Sequence, residues 1–221
     1  PRIAFQVPFN LFIFKQYCVI NKEYPFDVLH IHDANSGFAA SAIGEMFGTP
    51  WVCSIHNEIK SAISIKKCSR VLAVSQYLKD SLIRKTGLKE NQVTVLNVAV
   101  DTKMCKRKKN KIEAKGKIGI NKKYKIILFV GRKCAEKGPN IIINALPLII
   151  NFDPSVIAIF IGPDFSFGNE SLSYTNILKK NAKKLGVEKN TIFINFIPEK
   201  MLELYYQAAD VLVFPSTWPE P

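Results

Sequence analysis

The chain has 221 residues, 48% of them hydrophobic, and a formal net charge of +13. That is enough apolar material for one large globular domain or two small ones. No apolar run approaches the eighteen or so residues of a membrane span, because "VIAIFIG" and "KIILFV" are strand-sized and Asn144 and Pro147 interrupt "IIINALPLIINF".

The five cysteines, Cys18, Cys53, Cys68, Cys105 and Cys134, show no C-x-x-C pairing. They read as buried reduced thiols of a cytoplasmic protein, and structural zinc is not expected. The chain opens on Pro1 without a basic-apolar-small leader and stops at "PSTWPEP", where an α/β protein would continue into a helix. It reads as a fragment cut at both ends.

In chain order, "DVLHIHD" predicts a short strand, and "NSGFAASAIGEMFG" a small-residue helix capped by Asn35 or Ser36 and ended by Gly48. "PWVCSIH" and "RVLAVS" follow as strands. Ser75 caps "QYLKDSLIRKTG", with Arg84 and Lys85 in the last turn and Gly87 beyond it, and "QVTVLNV" closes this half. Residues 103–125 then carry eleven Lys and Arg against one acid, Glu113, with no hydrophobic periodicity. The pattern restarts with "KIILFVG", the "PNIIINAL" helix, "VIAIFIG", the "TNILKKNAKKLG" helix, "TIFINFI", the "EKMLELYYQAA" helix and "DVLVFP". Strands spaced by crossover helices predict an α/β fold with parallel sheets, in two Rossmann-like domains. Their expected bounds are residues 1–102 and 123–221, with 103–122 as a basic linker.

One stretch carries chemistry. In "LFVGRKCAEKGPNIIINAL", Gly131 and Arg132 follow the end of a strand, and Pro139 suits the first position of a helix whose positive end faces the same crevice. Arg132, Lys137 and that helix terminus would converge on one anion, and a diphosphate suits a bidentate fork beside a point charge. The spacing is neither a Walker A loop nor G-x-G-x-x-G. The plainer alternative is a solvated loop in which both cations pair with Glu136.

Taken together, "FVGRKCAEKG", "INAL", "IFIG" and "INFIPEKMLELYYQAADVLVFPSTWPEP" resemble the donor-binding domain of GT-B retaining glycosyltransferases of the family 4 type. "DVLHIHDANSG", "WVCSIHN", "RVLAVSQYLKDSL" and "VTVLNVAVDT" are similar to the acceptor-side domain of that family. The resemblance implies a GT-B fold of two Rossmann-like domains, both incomplete in this chain. It makes Arg132 and Lys137, beside Gly131, the ligands of the donor diphosphate, which neutralise the leaving group without a metal. Glu220 matches the first acid of an E-x7-E signature whose second member would lie beyond residue 221. His56 matches a histidine that faces the donor sugar across the cleft, Gly162 a glycine beside the donor pocket, and Ile197 a position whose backbone meets the base. His32 and Asp33, at the end of their strand, are candidates on the acceptor side, whereas His30 reads as a satisfied core histidine. No ligand spacing among the histidines supports a metal site.

Three features depart from the family pattern. Val98 stands in place of Asn, Asn195 stands where glycine is frequent, and the glycine-rich loop of the first strand is missing. The resemblance implies sugar transfer from a UDP or GDP type donor to an acceptor hydroxyl with retention, in cell-envelope or exopolysaccharide synthesis. No cofactor is expected. The partners implied are a nucleotide-sugar and a glycan or lipid-linked acceptor, in the cytoplasm or at the inner face of an anionic membrane. Two alternatives stay open: a sugar-nucleotide epimerase or phosphorylase of the same fold, and a basic module binding nucleic acid or anionic lipid through residues 103–125. A solvated linker is preferred for that run, which lacks interleaved aromatics and an amphipathic face, so no nucleic-acid partner is expected.

Overall fold

The computed structural model describes residues 2–59, 61–100, 102, 110–164 and 173–218, with side chains from residue 6 onward. The chain divides into two compact units, residues 1–99 and 100–220. Each is built on its own four-stranded parallel sheet.

In the first unit the order is α1 (Arg2–Glu23), β1 (Leu29–Ile31), α2 (Gly37–Phe47), β2 (Trp51–Ile55), β3 (Arg70–Ala73), α3 (Gln76–Thr86) and β4 (Val93–Val95). The strands lie in sequence order, with Cys53 opposite both Ile31 and Val71, and Val71 opposite Val93. Alternation along the strands sends Cys53, Ile55, Val71, Ala73 and Val93 into one core with Leu78 and Leu82 of α3. Ser75 caps α3 by accepting from the Leu78 amide at 3.1 Å, and Gly87 ends it at φ 70°.

Helix α1 has no counterpart in the sequence reading. Its apolar residues fall on every side and Pro8 sits inside it, so no stripe of period 3.6 marks it. Aromatic contacts of Phe14 and Tyr17 with Phe47, together with polar ones, hold it. Asn10 accepts from the Ala39 amide at 2.8 Å and donates to the Asn35 carbonyl at 2.9 Å, and Tyr17 shares a hydrogen bond of 2.7 Å with Thr49.

The second unit runs α4 (Lys111–Lys117), β5 (Lys125–Val130), α5 (Pro139–Phe152), β6 (Val156–Ile161), α6 (Tyr174–Lys184), β7 (Thr191–Ile194), α7 (Glu199–Ala208) and β8 (Val211–Leu212). Strand order is β7-β6-β5-β8. The chain steps outward from β5 to β7, then returns to place β8 on the other side of β5. That reversal is a topological switch point. Helices cover both faces. Ile142, Ile143 and Leu146 of α5 with Leu178 of α6 bury Phe129 and Phe160, while Ala114 of α4 and Ala208 of α7 bury Ile126, Leu128 and Ile159.

Two expectations need correction here. Part of the basic stretch read as a solvated linker folds as α4, capped by Asn110 onto the Glu113 amide at 2.8 Å and seated by the fully buried Ala114. Its lysines face outward except Lys115, which disguises the buried small residue beside them. Helix α5, expected to cover only "PNIIINAL", also continues through Pro147 to Phe152, and Asn144, a polar break in the apolar run, accepts from Asn181 of α6 at 2.8 Å. Burial of one face outweighs the single backbone hydrogen bond that Pro147 cannot make.

Candidate active site

Strand β5 ends at Val130, and Gly131 begins an extension in which the Gly131 amide donates to Ile161 at 2.9 Å and the Lys133 amide to Pro163 at 2.9 Å. Ala135–Lys137 form a turn of 3-10 helix, Gly138 takes the left-handed conformation at φ 65°, and Pro139 starts α5. Exposed Arg132 and half-buried Lys137 thus flank a short turn at the carboxyl end of β5, beside the switch point with β8. The first turn of α5 presents fewer donors than the sequence suggests, because Pro139 has no N–H and the Ile141 amide is spent on Gly138 at 2.9 Å.

The segment after β8 packs onto the same turn. A Cβ on Gly138 would stand 2.1 Å from the Pro215 carbonyl oxygen, so the two backbones touch there. The Thr217 amide donates to the Glu136 carbonyl at 2.9 Å. Glu220 follows three residues later and lies outside the described residues. Gly162 ends β6 at φ 141°, with its amide donating to Ile194 at 3.1 Å. Ile197, in the turn between β7 and α7, packs its side chain against the core on the α7 face. The structure therefore gathers Gly131, Arg132, Lys137, Gly162 and Ile197 at the carboxyl end of one sheet.

In the first unit, His32 and His56 follow the carboxyl ends of the neighbouring strands β1 and β2. Their rings stack at 5.5 Å between centroids, with Nδ1 of His32 3.3 Å from Nε2 of His56. His30 lies beneath His32 at 4.3 Å and shares a hydrogen bond of 2.8 Å with Ser54. It is satisfied, as expected, but exposed rather than in the core, since β1 forms the edge of the described sheet. Partial desolvation of its ring and the neighbouring His32 and His56 lower its pKa. Among the described residues no three or more His, Cys, Asp or Glu side chains are grouped to hold a metal ion.

Asp33 has a local task. Its carboxylate accepts from the Asn35 amide at 2.6 Å and the Ser36 amide at 3.3 Å, capping the 3-10 turn that leads into α2. Ser36, one of the two residues expected there, stands at the N-cap position of α2 but makes no side-chain hydrogen bond, so the side-chain capping falls one turn earlier, to Asp33. Glu58, just past His56, ties its loop to α3 by accepting from Tyr77 at 3.1 Å, Ser81 at 2.6 Å and Lys85. The bond from Lys85 leads those that hold its carboxyl at about 2. Nothing in the sequence marks Glu58, whose partners lie on another element.

Two apolar cavities of about 260 and 540 Å³ run along α1 and α2, and neither is lined by His56, Arg132 or Lys137. Among the described helices none is long and apolar enough to cross a membrane. The described cysteines, Cys18, Cys53, Cys68 and Cys134, are free thiols, and burial pushes Cys53 up to about 12.

Comparison with known proteins matches residues 110–221 to the family model for glycosyl transferases group 1 and residues 5–104 to that for glycosyltransferase family 4. The chain is 27% identical over 217 residues to spore coat protein SA of Bacillus subtilis, covering 90% of this chain and 56% of that one. It is 27% identical over 221 residues to a D-inositol 3-phosphate glycosyltransferase of Thermomonospora curvata, covering 86% and 50%. The chain thus spans about half the length of the curated relatives it matches.

Among solved structures, Anabaena Alr3699/HepE in complex with UDP superimposes with a TM-score of 0.79 at 20% identity, over 97% of this chain and 58% of that one. Sucrose-phosphate synthase of Thermosynechococcus elongatus gives 0.76 at 16%, over 95% and 55%. These likenesses show the GT-B fold. With a family model matching residues 110–221, the chain belongs to the glycosyl transferases group 1 family.

Proposed function

We propose that this protein transfers a sugar from a nucleoside diphosphate sugar to an acceptor hydroxyl, with Arg132 and Lys137 holding the donor diphosphate. The observation that carries this reading is the place of their turn: the carboxyl end of β5, beside the strand-order reversal, is where open parallel sheets bind ligands. Alr3699/HepE, of like fold, has been solved with UDP and with UDP and glucose, which supports a nucleotide-sugar donor here.

In this scheme the bond from the sugar C1 to the diphosphate oxygen breaks while C1 bonds to the acceptor oxygen on the same face. The acceptor proton passes to the departing phosphate, and the configuration at C1 is retained. Arg132 and Lys137 stabilise the negative charge that gathers on the leaving group. His56 is assigned a hydrogen bond to the sugar or phosphate, and Glu220 one to the transferred sugar. His32 belongs to the acceptor side. The reaction proposed needs no metal or other cofactor, and its acceptor is a glycan or lipid-linked sugar of the cell envelope, met in the cytoplasm or at an anionic membrane face.

Calorimetric titration of the full chain with UDP, GDP, ADP and their common sugar conjugates tests the reading. One nucleoside diphosphate is expected to bind, and an Arg132→Ala, Lys137→Ala double variant to lose about a hundredfold in affinity. A folded protein that binds none of them would sink the proposal.

A further inference from the structure

Lys133, between the two proposed phosphate ligands in sequence, has no exposed surface. Its Nζ donates to the Gly162 carbonyl, to the Ile194 carbonyl at 3.0 Å and to the Asn195 side-chain oxygen at 3.1 Å. Three oxygen acceptors on one nitrogen call for three N–H groups, which only the protonated amine supplies. All three acceptors are neutral, so they solvate the charge without cancelling it. A buried ammonium held in this way is costly beside an apolar chain of equal length, and packing alone gives no reason for it.

The backbone decides where that charge sits. The Lys133 amide donates to the Pro163 carbonyl at 2.9 Å, and Lys133 bridges Asp164 as in a parallel ladder, so the chain is extended here. Side chains alternate along such a stretch, which sends Lys133 inward and leaves Arg132 exposed on the opposite side. The ammonium reaches the carbonyl of Gly162, the residue whose backbone lies against Gly131 just before Arg132. Burial lowers the Lys133 pKa, Asp164 opposes this, and Lys179 of α6 adds to it. Asp164 is in turn fixed by the Ser173 hydroxyl and by the Thr175 amide at 3.1 Å, both of which donate to its carboxylate.

We infer that Lys133 is a third, buried cation of the donor site, which stabilises the diphosphate through its field without touching it, and that Asp164 sets how much of this charge the ligand feels. The inference rests on the donor-site reading above and adds two residues which that reading leaves unused. Low-dielectric surroundings let a fixed charge act over a longer range than a solvated lysine can. A charge that is already in place also needs no reorganisation when the leaving group gains its negative charge.

The test is calorimetry on the full chain at neutral pH, with whichever of UDP, GDP and ADP the wild-type protein binds and with the matching monophosphate. Lys133→Met, close in length and uncharged, is expected to weaken the diphosphate about tenfold and the monophosphate by a smaller factor, because the effect scales with the charge of the ligand. Asp164→Asn keeps an oxygen for the Thr175 amide but removes the opposing charge, and is expected to tighten the diphosphate about threefold. A lysine that only braced the sheet would weaken both ligands equally, and loosening its surroundings at Asp164 would weaken them too. Lys133→Met also takes a donor from the Gly162 carbonyl, so circular dichroism at the titration temperature checks that it is folded; if it is not, Asp164→Asn decides alone. Equal losses for the two ligands in folded Lys133→Met, or diphosphate binding by Asp164→Asn no tighter than wild type, would overturn the inference while leaving the donor site standing. Absence of nucleotide binding in the wild type would remove the donor site, and the inference with it.

Discussion

At the carboxyl end of β6, a Cβ on Gly162 would lie 2.0 Å from the Gly131 carbonyl oxygen, and the residue adopts φ 141°. Both the contact and the dihedral exclude a side chain, so Gly162→Ala must push β5 and β6 apart where they present Arg132. A loss of about 3 kcal/mol in stability is expected, measurable by urea unfolding, with nucleotide affinity falling alongside. At this scale the sequence was legible where a residue type answers to backbone geometry: Gly131, Gly138 and Pro139 mark a strand end and a helix start without any partner being known. Lys133 was illegible. One lysine among 31 Lys and Arg gives no sign of being buried, and its three acceptors lie 29 to 62 positions away.

Helix α4 is a seven-residue element held from outside itself. Asp210 accepts from Lys111 at 2.7 Å, from Lys115 at 3.1 Å and from the Ile126 amide at 2.8 Å, joining α4 and β5 to the strand entry of β8. Burial pushes this carboxyl upward, but the bonds from Lys111, Ile126 and Lys115 outweigh it and hold it at about 2, against 3.8 in the absence of such partners. The folded pKa is depressed, so the stabilisation is complete above the unfolded value and fades as pH falls from about 4 through about 2. Asp210→Asn is therefore expected to lower the melting temperature by roughly 5 °C at neutral pH. The difference from wild type should shrink on acidification toward pH 2, as followed by circular dichroism. Strands and crossover helices were readable from period and caps, because each reports its own burial locally. Helices α1 and α4 were not: one is apolar all round, and the other is too short and too basic to show a face.

Across the whole molecule, the charge of +13 acts on any polyanion. Binding to generic duplex DNA is expected to be non-saturable and to fall at least about a hundredfold between roughly 50 and 200 mM salt, since it rests on counterion release. Nucleoside diphosphate binding at a built site should change far less over the same range, and titrations at several salt concentrations separate the two. Saturable, salt-resistant DNA binding would revive the reading of residues 103–125 as a nucleic-acid contact. The two-unit division follows from the repeated strand–helix alternation, which any chain burying two parallel sheets must display. The roles of His32, His56 and Asp33 were less open to inspection, because stacking between strands and capping of a turn depend on register.

The Thr217 amide, donating to the Glu136 carbonyl, joins the turn that carries Lys137 to the chain that leads toward Glu220. Its hydrogen is thus a single-site reporter on both. Deuterium can replace it only when the two segments part, so its exchange rate counts those openings. A donor analogue that grips the Arg132–Lys137 turn should slow exchange at Thr217 while leaving amides in the first unit, such as Leu78, at their own pace.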